Sequence, residues 1–180
     1  MPPAADTATQ VLAQELQWLQ RILQFRSQQR SSDARTQASL QPPIIDLSVE
    51  QGYGALVNAQ GFDFENRLLL ILAYAPCIAP QLLDKEIGFW VRQFGSAAPS
   101  EMQPLWGLVQ GQMYRGLLPT GALFLFLTCG DVFETRFELQ RRLLYQQLPA
   151  MSEGIVQLSD VPVCEPPING ILSIESNYSR

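Results

Sequence analysis

The pattern of apolar and polar positions predicts a chain built mainly from helices. From Thr7 to about Arg30, apolar residues recur every three or four positions, which is the spacing of an amphipathic helix. The stripe consists of Val11, Leu12, Leu16, Trp18, Leu19, Ile22, Leu23 and Phe25. Thr7 with Gln10 three residues later fits a capping box, so we expect the helix to begin there.

A polar segment follows this first helix and favours a break in the structure. Residues 31–43, "SSDARTQASLQPP", are small, polar and end in prolines, which is typical of a flexible linker. The next stretch, "IIDLSVEQGYGALVNAQG", predicts a short extended piece and then a short helix. Ser48 is the expected N-cap of that helix and Gly61 its end.

The strongest helical pattern lies in residues 62–94. Asp63 is a suitable N-cap, Glu65 suits the first turn, and the apolar run that follows predicts a helix buried on nearly all sides. We expect Pro76 and Pro80 to break this helix. The apolar stretch, residues 68–80, is about 13 residues long, whereas a membrane span needs about 20. The pattern therefore predicts a core helix and no membrane span.

The middle of the chain predicts two helices joined by a tight corner. Residues 95–104 are expected to form a loop. The stretch after it, "LWGLVQGQMYRGLL", is expected to form an irregular segment or a helix with only a weak sequence signal. Pro119, Thr120 and Gly121 mark a helix start, "ALFLFLTC" a short buried helix, and Gly130 its end. Asp131 and Glu134 form a second capping-box pattern. It opens an amphipathic helix that Pro149 limits.

The C-terminal part changes from helical to strand-like patterning. "GIVQLSDVPVCEPPINGILSIESNY" is rich in β-branched residues and is interrupted by "EPP" and "NG", which predicts two short strands forming a hairpin or wing. The expected fold class is mainly α with a small C-terminal β-hairpin (α+β), a winged-helix-like helical domain preceded by a long N-terminal helix. The predicted divisions are residues 1–31 (helix), 32–43 (linker) and 44–180 (helical domain with the wing).

Composition and net charge limit the classes of function that the chain can have. The 180-residue chain has a net charge of −5 and 16% charged residues, which argues against a nucleic-acid binder and favours a neutral polar surface or one covered by a protein partner. Since the sequence contains no histidine and no glycine-rich phosphate loop, histidine-dependent nucleophiles and P-loop chemistry are excluded. We expect no cofactor and no metal. The paired carboxylates Asp84 with Glu86 and Asp131 with Glu134 are better explained by capping and solvation than by catalysis.

The cysteines and the N-terminus indicate a cytoplasmic protein. Cys77, Cys129 and Cys164 are far apart in the sequence, so no zinc site of ordinary spacing can be drawn, and each thiol is expected to be a small buried apolar group. The first ten residues, "MPPAADTATQ", have neither the basic start nor the apolar run of a secretory signal.

Two sets of side chains are candidates for protein contacts. Arg136, Arg141 and Arg142 form either a basic strip for an acidic partner or a solvated face that pairs with Glu134 and Glu138, and the second reading is favoured by the acidic total charge. The large aromatic residues serve either as core or as contact anchors, because aromatics dominate both cores and interfaces. These are Trp18, Phe25, Trp90 and Trp106.

Four blocks of the sequence resemble one family. "FENRLLLILAYAPCIAPQLLD" is similar to "ERLxLxLALAPHxxPxLLD", "GLLPTGALFLFLTCGDVFETRFELQRRL" to "PTGExxLFLLAGDDxxxR", "EPPINGILSIESNY" to "EPxLSGxLxLSxEY", and "LAQELQWLQRILQFR" to "ExxWLxxVLxxR". These segments occur in the N-terminal winged-helix-like domain of AAA+ ATPases associated with extracellular contractile, phage-tail-like injection systems. The blocks stand in the family's order over most of residues 10–178. Ala122 replaces a frequent Glu and Cys77 a frequent His.

The resemblance implies a role through protein contacts in the assembly, loading or remodelling of a contractile particle. The ATPase module that follows the wing in that family is absent from this sequence, so the chain is expected to be either the N-terminal part of a longer ATPase or a free-standing relative. Particle components or copies of the chain itself are the implied partners, and no active site is carried over. The alternative is a winged-helix module that binds nucleic acid or has a regulatory role.

Overall fold

The computed structural model describes residues 4–29, 31–85, 107–111, 113–114 and 116–175. Over these residues the chain is mainly helical and also contains two small antiparallel β-hairpins, so the predicted α+β class is confirmed. The loop predicted at 95–104 and the anchors Trp90 and Trp106 lie outside the described residues.

The long N-terminal helix predicted from the apolar stripe is present. Helix α1 spans Ala4–Gln28 and buries one face, as the spacing requires. Its buried apolar side chains are Val11, Trp18, Leu19, Ile22 and Leu23. The capping box predicted at Thr7 is wrong, because the helix begins one turn earlier and Thr7 lies inside it.

The segment predicted as a flexible linker packs against the helices. It contains two short 3-10 helices, Ala34–Thr36 and Ala38–Leu40, and buries Ala34 and Leu40. The indole Nε1 of Trp18 donates a hydrogen bond of 2.6 Å to the carbonyl oxygen of Leu40. The prediction of a flexible connection is therefore wrong: the buried side chains of Ala34 and Leu40 and the hydrogen bond from Trp18 help to hold this polar segment in place.

Helices α2 and α3 follow. Helix α2 spans Gly52–Gln60 and ends at Gly61, which has a left-handed φ of 59° and confirms the predicted stop. Its N-cap is Gln51 and not Ser48, whose amide instead donates to Asp46 in the preceding turn.

Helix α3, Phe64–Ile78, runs through the centre of the core. Asp63 caps it by accepting a hydrogen bond from the amide of Asn66 at 3.1 Å, as predicted. Leu68 to Ala73 are all buried. Pro76 does not break the helix, because it lies in the last turn, and the helix ends just before Pro80.

The first hairpin was not predicted. Strands β1 (Leu108–Gln110) and β2 (Leu117–Pro119) pair antiparallel in the segment expected to be irregular or helical. Gly107 opens β1 with a φ of 57°, and a Cβ atom there would overlap the backbone of Leu123, so this turn requires glycine. A search for helical periodicity does not detect such short antiparallel pairing.

Helices α4 and α5 form the predicted corner. Helix α4 spans Gly121–Cys129, is buried along its whole length, begins at the Thr120 N-cap and ends at Gly130. Helix α5 spans Phe133–Leu144. The second capping box is wrong, since the N-cap position is Val132, which has no side-chain oxygen.

A short helix and the C-terminal hairpin complete the described chain. Helix α6 (Pro149–Ser152) is followed by β3 (Val156–Leu158), which pairs antiparallel with β4 (Leu172–Ile174) as the predicted wing requires. A single bridge between Thr120 and Ile171 joins the two hairpins. The core lies between α1, α3 and α4, with the wing packed on α3.

Candidate protein-interaction surface

The exposed face of α5 carries a continuous row of large side chains. The helix is amphipathic, and Leu139 and Leu143 point into the core. Phe133 and Phe137 lie on the other side, 72% and 62% exposed. Large apolar side chains at this exposure are informative when they are contiguous, because a soluble surface rarely leaves such groups together without a use.

Four residues spaced by four positions make up this row. The rings of Phe133 and Phe137 stack with centroids 6.2 Å apart and an angle of 23° between their planes. Arg141 and Tyr145 continue the row by one further turn each, and the amide of Tyr145 still donates to the carbonyl of Arg141, at 3.0 Å. Tyr145 is 72% exposed. We call Phe133, Phe137, Arg141 and Tyr145 the α5 stripe.

Arg141 is oriented by its own helix. Its Nη2 donates to Oε1 of Glu138 at 2.8 Å, which is the pairing predicted for this face. The hydrogen bond that Arg141 donates to Glu138 lowers the pKa of the Glu138 carboxyl and raises the pKa of Arg141, so both stay charged at neutral pH. The guanidinium is thus a half-exposed cation in the stripe, one turn from Phe137 and one turn from Tyr145.

The other two predicted arginines face away from this pair. Arg136 donates to the carbonyl of Gly130 at 3.2 Å, and Arg142 donates to Oε2 of Glu65 at 2.6 Å. The structure therefore does not bring Arg136, Arg141 and Arg142 together as one basic strip. The sequence could not reveal the partner of Arg142, because Glu65 lies 77 residues away.

The predicted aromatic anchors on α1 belong to the interior. Trp18 has no exposed surface, and its ring packs edge-on against Phe64 at 5.3 Å. Phe25 is half-buried against the core, with the guanidinium of Arg26 5.3 Å from its ring centroid. Of the two uses predicted for Trp18, the structure supports core packing.

Beneath the surface, charged side chains are paired with one another. Glu15 is fully buried, forms an ion pair with Arg67 and accepts a hydrogen bond of 2.8 Å from the hydroxyl of Tyr53. Burial raises the pKa of Glu15, although Arg67 and Tyr53 act in the opposite direction. Burial also raises the pKa of Tyr53 well above its usual value. The cluster has no exposed face through which a substrate could enter.

A second cluster joins the former linker to the helices. Arg35 forms ion pairs with both Asp33 and Glu65, and Glu65 also holds Arg142. The hydrogen bonds that Arg35 donates to the carboxylates of Asp33 and Glu65 raise the pKa of Arg35. Glu65 therefore connects α3, the 3-10 segment and α5, and holds the helix that carries the stripe.

An open groove lies between the first hairpin and the loop before β4. Its volume is about 510 Å³, within the range of ligand pockets. Asp160 and Glu165 supply its charge, and the floor is mostly glycine and aliphatic side chains from β1 and β2. Nothing in the sequence pattern predicted it, because its walls come from segments about 50 residues apart.

The three cysteine thiols lie in different surroundings. Cys129 is buried, which raises the pKa of its thiol, whereas Cys77 and Cys164 are exposed, so the prediction that all three are buried is wrong for those two. Within the described ranges, no three Cys, Asp or Glu side chains are grouped closely enough to hold a metal ion. None of the helices the structure describes is both long and apolar enough to cross a bilayer.

Comparisons with protein-family models, curated proteins and solved structures found no match to this chain. Sequence reasoning missed Phe133, Phe137 and Tyr145. The available signal was that Phe133 and Phe137 are four residues apart and Tyr145 follows eight residues later, which places all three on the side of α5 away from Leu139 and Leu143.

Proposed function

We propose that this chain is a non-catalytic protein-interaction domain that acts beside a contractile injection apparatus. It would serve either as the N-terminal part of the AAA+ ATPase that its sequence resembles or as a free-standing relative of that domain. Its contribution would be to the assembly, loading or remodelling of the particle. The observation that carries the proposal is the α5 stripe, an exposed aromatic row on a helix anchored to the core.

The stripe has the composition of a contact surface. Interface hot spots are enriched in aromatic residues and arginine, and the stripe contains three aromatics and one arginine. Its supporting helix is held from beneath by Leu139 and Leu143 and at its end by the ion pair of Arg142 with Glu65. Because the anchoring groups are buried or paired, little backbone conformational entropy is lost when a partner binds.

The paired interior charges also favour a binding role over catalysis. The buried Glu15, with its raised pKa, would be a natural acid catalyst only if a substrate could reach it. Glu15 instead pairs with Arg67 and Tyr53 inside the core. Their arrangement is better explained as a polar tie between α1, α2 and α3.

The experiment is affinity purification from a cell that encodes a contractile particle, followed by identification of the co-purified proteins. Tagged wild type is compared with Phe133→Ser/Phe137→Ser and with the control Ile44→Ser, which removes a 95% exposed apolar side chain outside the stripe. Enrichment of identified tube, sheath, baseplate or AAA+ proteins with wild type and the control, but not with the stripe variant, supports the proposal. Their absence from the wild-type sample overturns it.

A further inference from the structure

The α5 stripe is complementary to itself when two copies meet in opposite directions. The order along the helix is aromatic, aromatic, cation, aromatic, at residues 133, 137, 141 and 145. A two-fold axis through the midpoint of the row places residue 137 of one copy beside residue 141 of the other, and residue 133 beside residue 145. Each phenylalanine of the inner pair then meets a guanidinium, and each outer pair consists of two aromatic rings.

These pairings are favourable ones. An arginine over an aromatic ring is attracted by the negative face of the ring, and two aromatic rings stabilise each other beyond the area that they bury. Arg141 keeps its ion pair with Glu138, so the two guanidinium groups approach the axis already neutralised. A parallel pairing would instead place the two Arg141 side chains at the same level and lose these contacts.

The geometry of α5 permits the approach. Rows of side chains spaced by four residues pack against each other at a crossing angle of about −50°, the commonest class of helix packing. A two-fold contact uses the same patch on both copies, so it closes on itself and gives a dimer instead of a filament.

The area that the stripe can bury is small for a specific interface. Fully covered aromatic side chains bury roughly 150–250 Å² each, and those of the stripe are about two-thirds exposed, so two copies with Arg141 supply on the order of 1,000 Å². This lies near the lower limit for a specific interface, and weak, transient pairs occupy that range. A dissociation constant of about 10–500 µM is expected.

We propose that in the free protein the α5 stripe is covered by the stripe of a second copy, in an antiparallel two-fold dimer. The inference rests on the proposed function only because both use the α5 stripe. It deepens that function, because a particle component that needs the stripe must displace the second copy. Each chain is then either part of the dimer or bound to the particle.

The test uses the purified full chain alone, so its result is independent of any particle. Sedimentation equilibrium from about 5 to 500 µM should show a monomer–dimer equilibrium for wild type and for Ile44→Ser. Phe137→Ser should raise the dimer dissociation constant by roughly 30-fold or more, because symmetry removes the ring twice. Arg141→Ala should raise it about 5- to 30-fold for the same reason.

A cross-linking experiment tests the direction of the two helices. In a background in which the exposed Cys77 and Cys164 are serine, chains with Phe133→Cys are mixed with chains carrying Tyr145→Cys. The antiparallel arrangement predicts disulfides between the two variants in the mixture and few in either variant alone. Disulfides of Phe133→Cys with itself would overturn the arrangement.

Two further outcomes overturn the inference. One is a wild type that stays monomeric at about 500 µM, where even the weakest expected dissociation constant would leave roughly half of the chains in the dimer. The other is a dimer that Phe137→Ser leaves unchanged. Both are distinguishable from failure of the proposed function, which is measured by particle proteins captured from cells.

Discussion

Arg26 in α1 donates a hydrogen bond of 2.7 Å from Nη2 to the carbonyl oxygen of Thr128, which lies 102 residues later in the chain. The same guanidinium donates to the carbonyl of Leu127 at 3.0 Å and to that of Ser32 at 2.5 Å. Leu127 and Thr128 lie in the last turn of α4, where carbonyl groups have no partner within the helix and the dipole favours a cation. One buried arginine therefore caps a helix from another helix.

The first prediction concerns this cap. Arg26→Ala should lower the free energy of unfolding by roughly 3–5 kcal/mol, because buried carbonyl groups lose a charged donor. Arg26→Lys should recover part of the loss, since an ammonium cannot match the planar fork. Urea unfolding measures both. The matched control is Arg21→Ala, on the exposed face of the same helix, with an expected change within about 0.5 kcal/mol. An equal effect of the two alanine variants would contradict the capping role.

The second prediction concerns the buried pair of Glu15 and Arg67. Either Glu15→Ala or Arg67→Ala alone should cost about 3–5 kcal/mol of unfolding free energy, because each leaves an uncompensated buried charge. The double variant should cost clearly less than the sum of the two single changes. A double-mutant cycle by urea unfolding supplies the comparison. Additive losses would show that the two groups do not act as a pair.

The third prediction is a pH dependence at Asp33. Burial alone would raise the pKa of Asp33, but the hydrogen bonds from Arg35 outweigh it and hold the pKa below its ordinary value of 3.8. A carboxyl group whose pKa is lower in the folded than in the unfolded state stabilises the folded protein at pH values above its unfolded-state pKa. This contribution is lost as the pH falls through the folded-state pKa. The stability advantage of wild type over Asp33→Asn should therefore be full at pH 6 and shrink below about pH 4.

Urea unfolding of both proteins at several pH values checks this difference. All other carboxyl groups are shared, so their titration largely cancels when the two proteins are compared. An advantage that stays constant down to the acid limit would show that the charge of Asp33 does not matter.

The fourth prediction separates contact aromatics from core aromatics. Phe137→Ser should change the free energy of unfolding by no more than about 0.5 kcal/mol, because the ring is largely exposed. Phe124→Ala, in the fully buried α4, should cost about 3–5 kcal/mol. Thermal or urea unfolding distinguishes them. A large loss for Phe137→Ser would mean that the stripe serves the fold and not a partner.

Much of the local structure could be predicted from the sequence because helix caps and helix ends depend on residues close to one another in the chain. Asp63, Gly61 and Gly130 cap or end helices through groups within a few residues, and these positions were predicted correctly. The same rules failed at Thr7 and Asp131, where suitable residues are present but the helix begins elsewhere. Capping adds only about 1 kcal/mol, so packing of the neighbouring segments can override it.

Residues 31–43, the predicted linker, show even more clearly that distant packing can override a local signal. Its composition is polar, and composition alone favours a flexible segment. Trp18 and Glu65 hold it through Leu40 and Arg35, and neither partner lies within 20 residues. No local pattern encodes such contacts.

What the sequence determined by itself is the helical body, the C-terminal wing and the lack of histidine-based or phosphate-loop chemistry, since these follow from periodicity and residue type. Only the tertiary structure decided which arginines are buried, paired or exposed, and which aromatic residues reach the surface. The physical reason is that burial and ion pairing depend on residues distant in the chain: Glu65 withdraws Arg142 from the surface, while no described core residue covers Phe137.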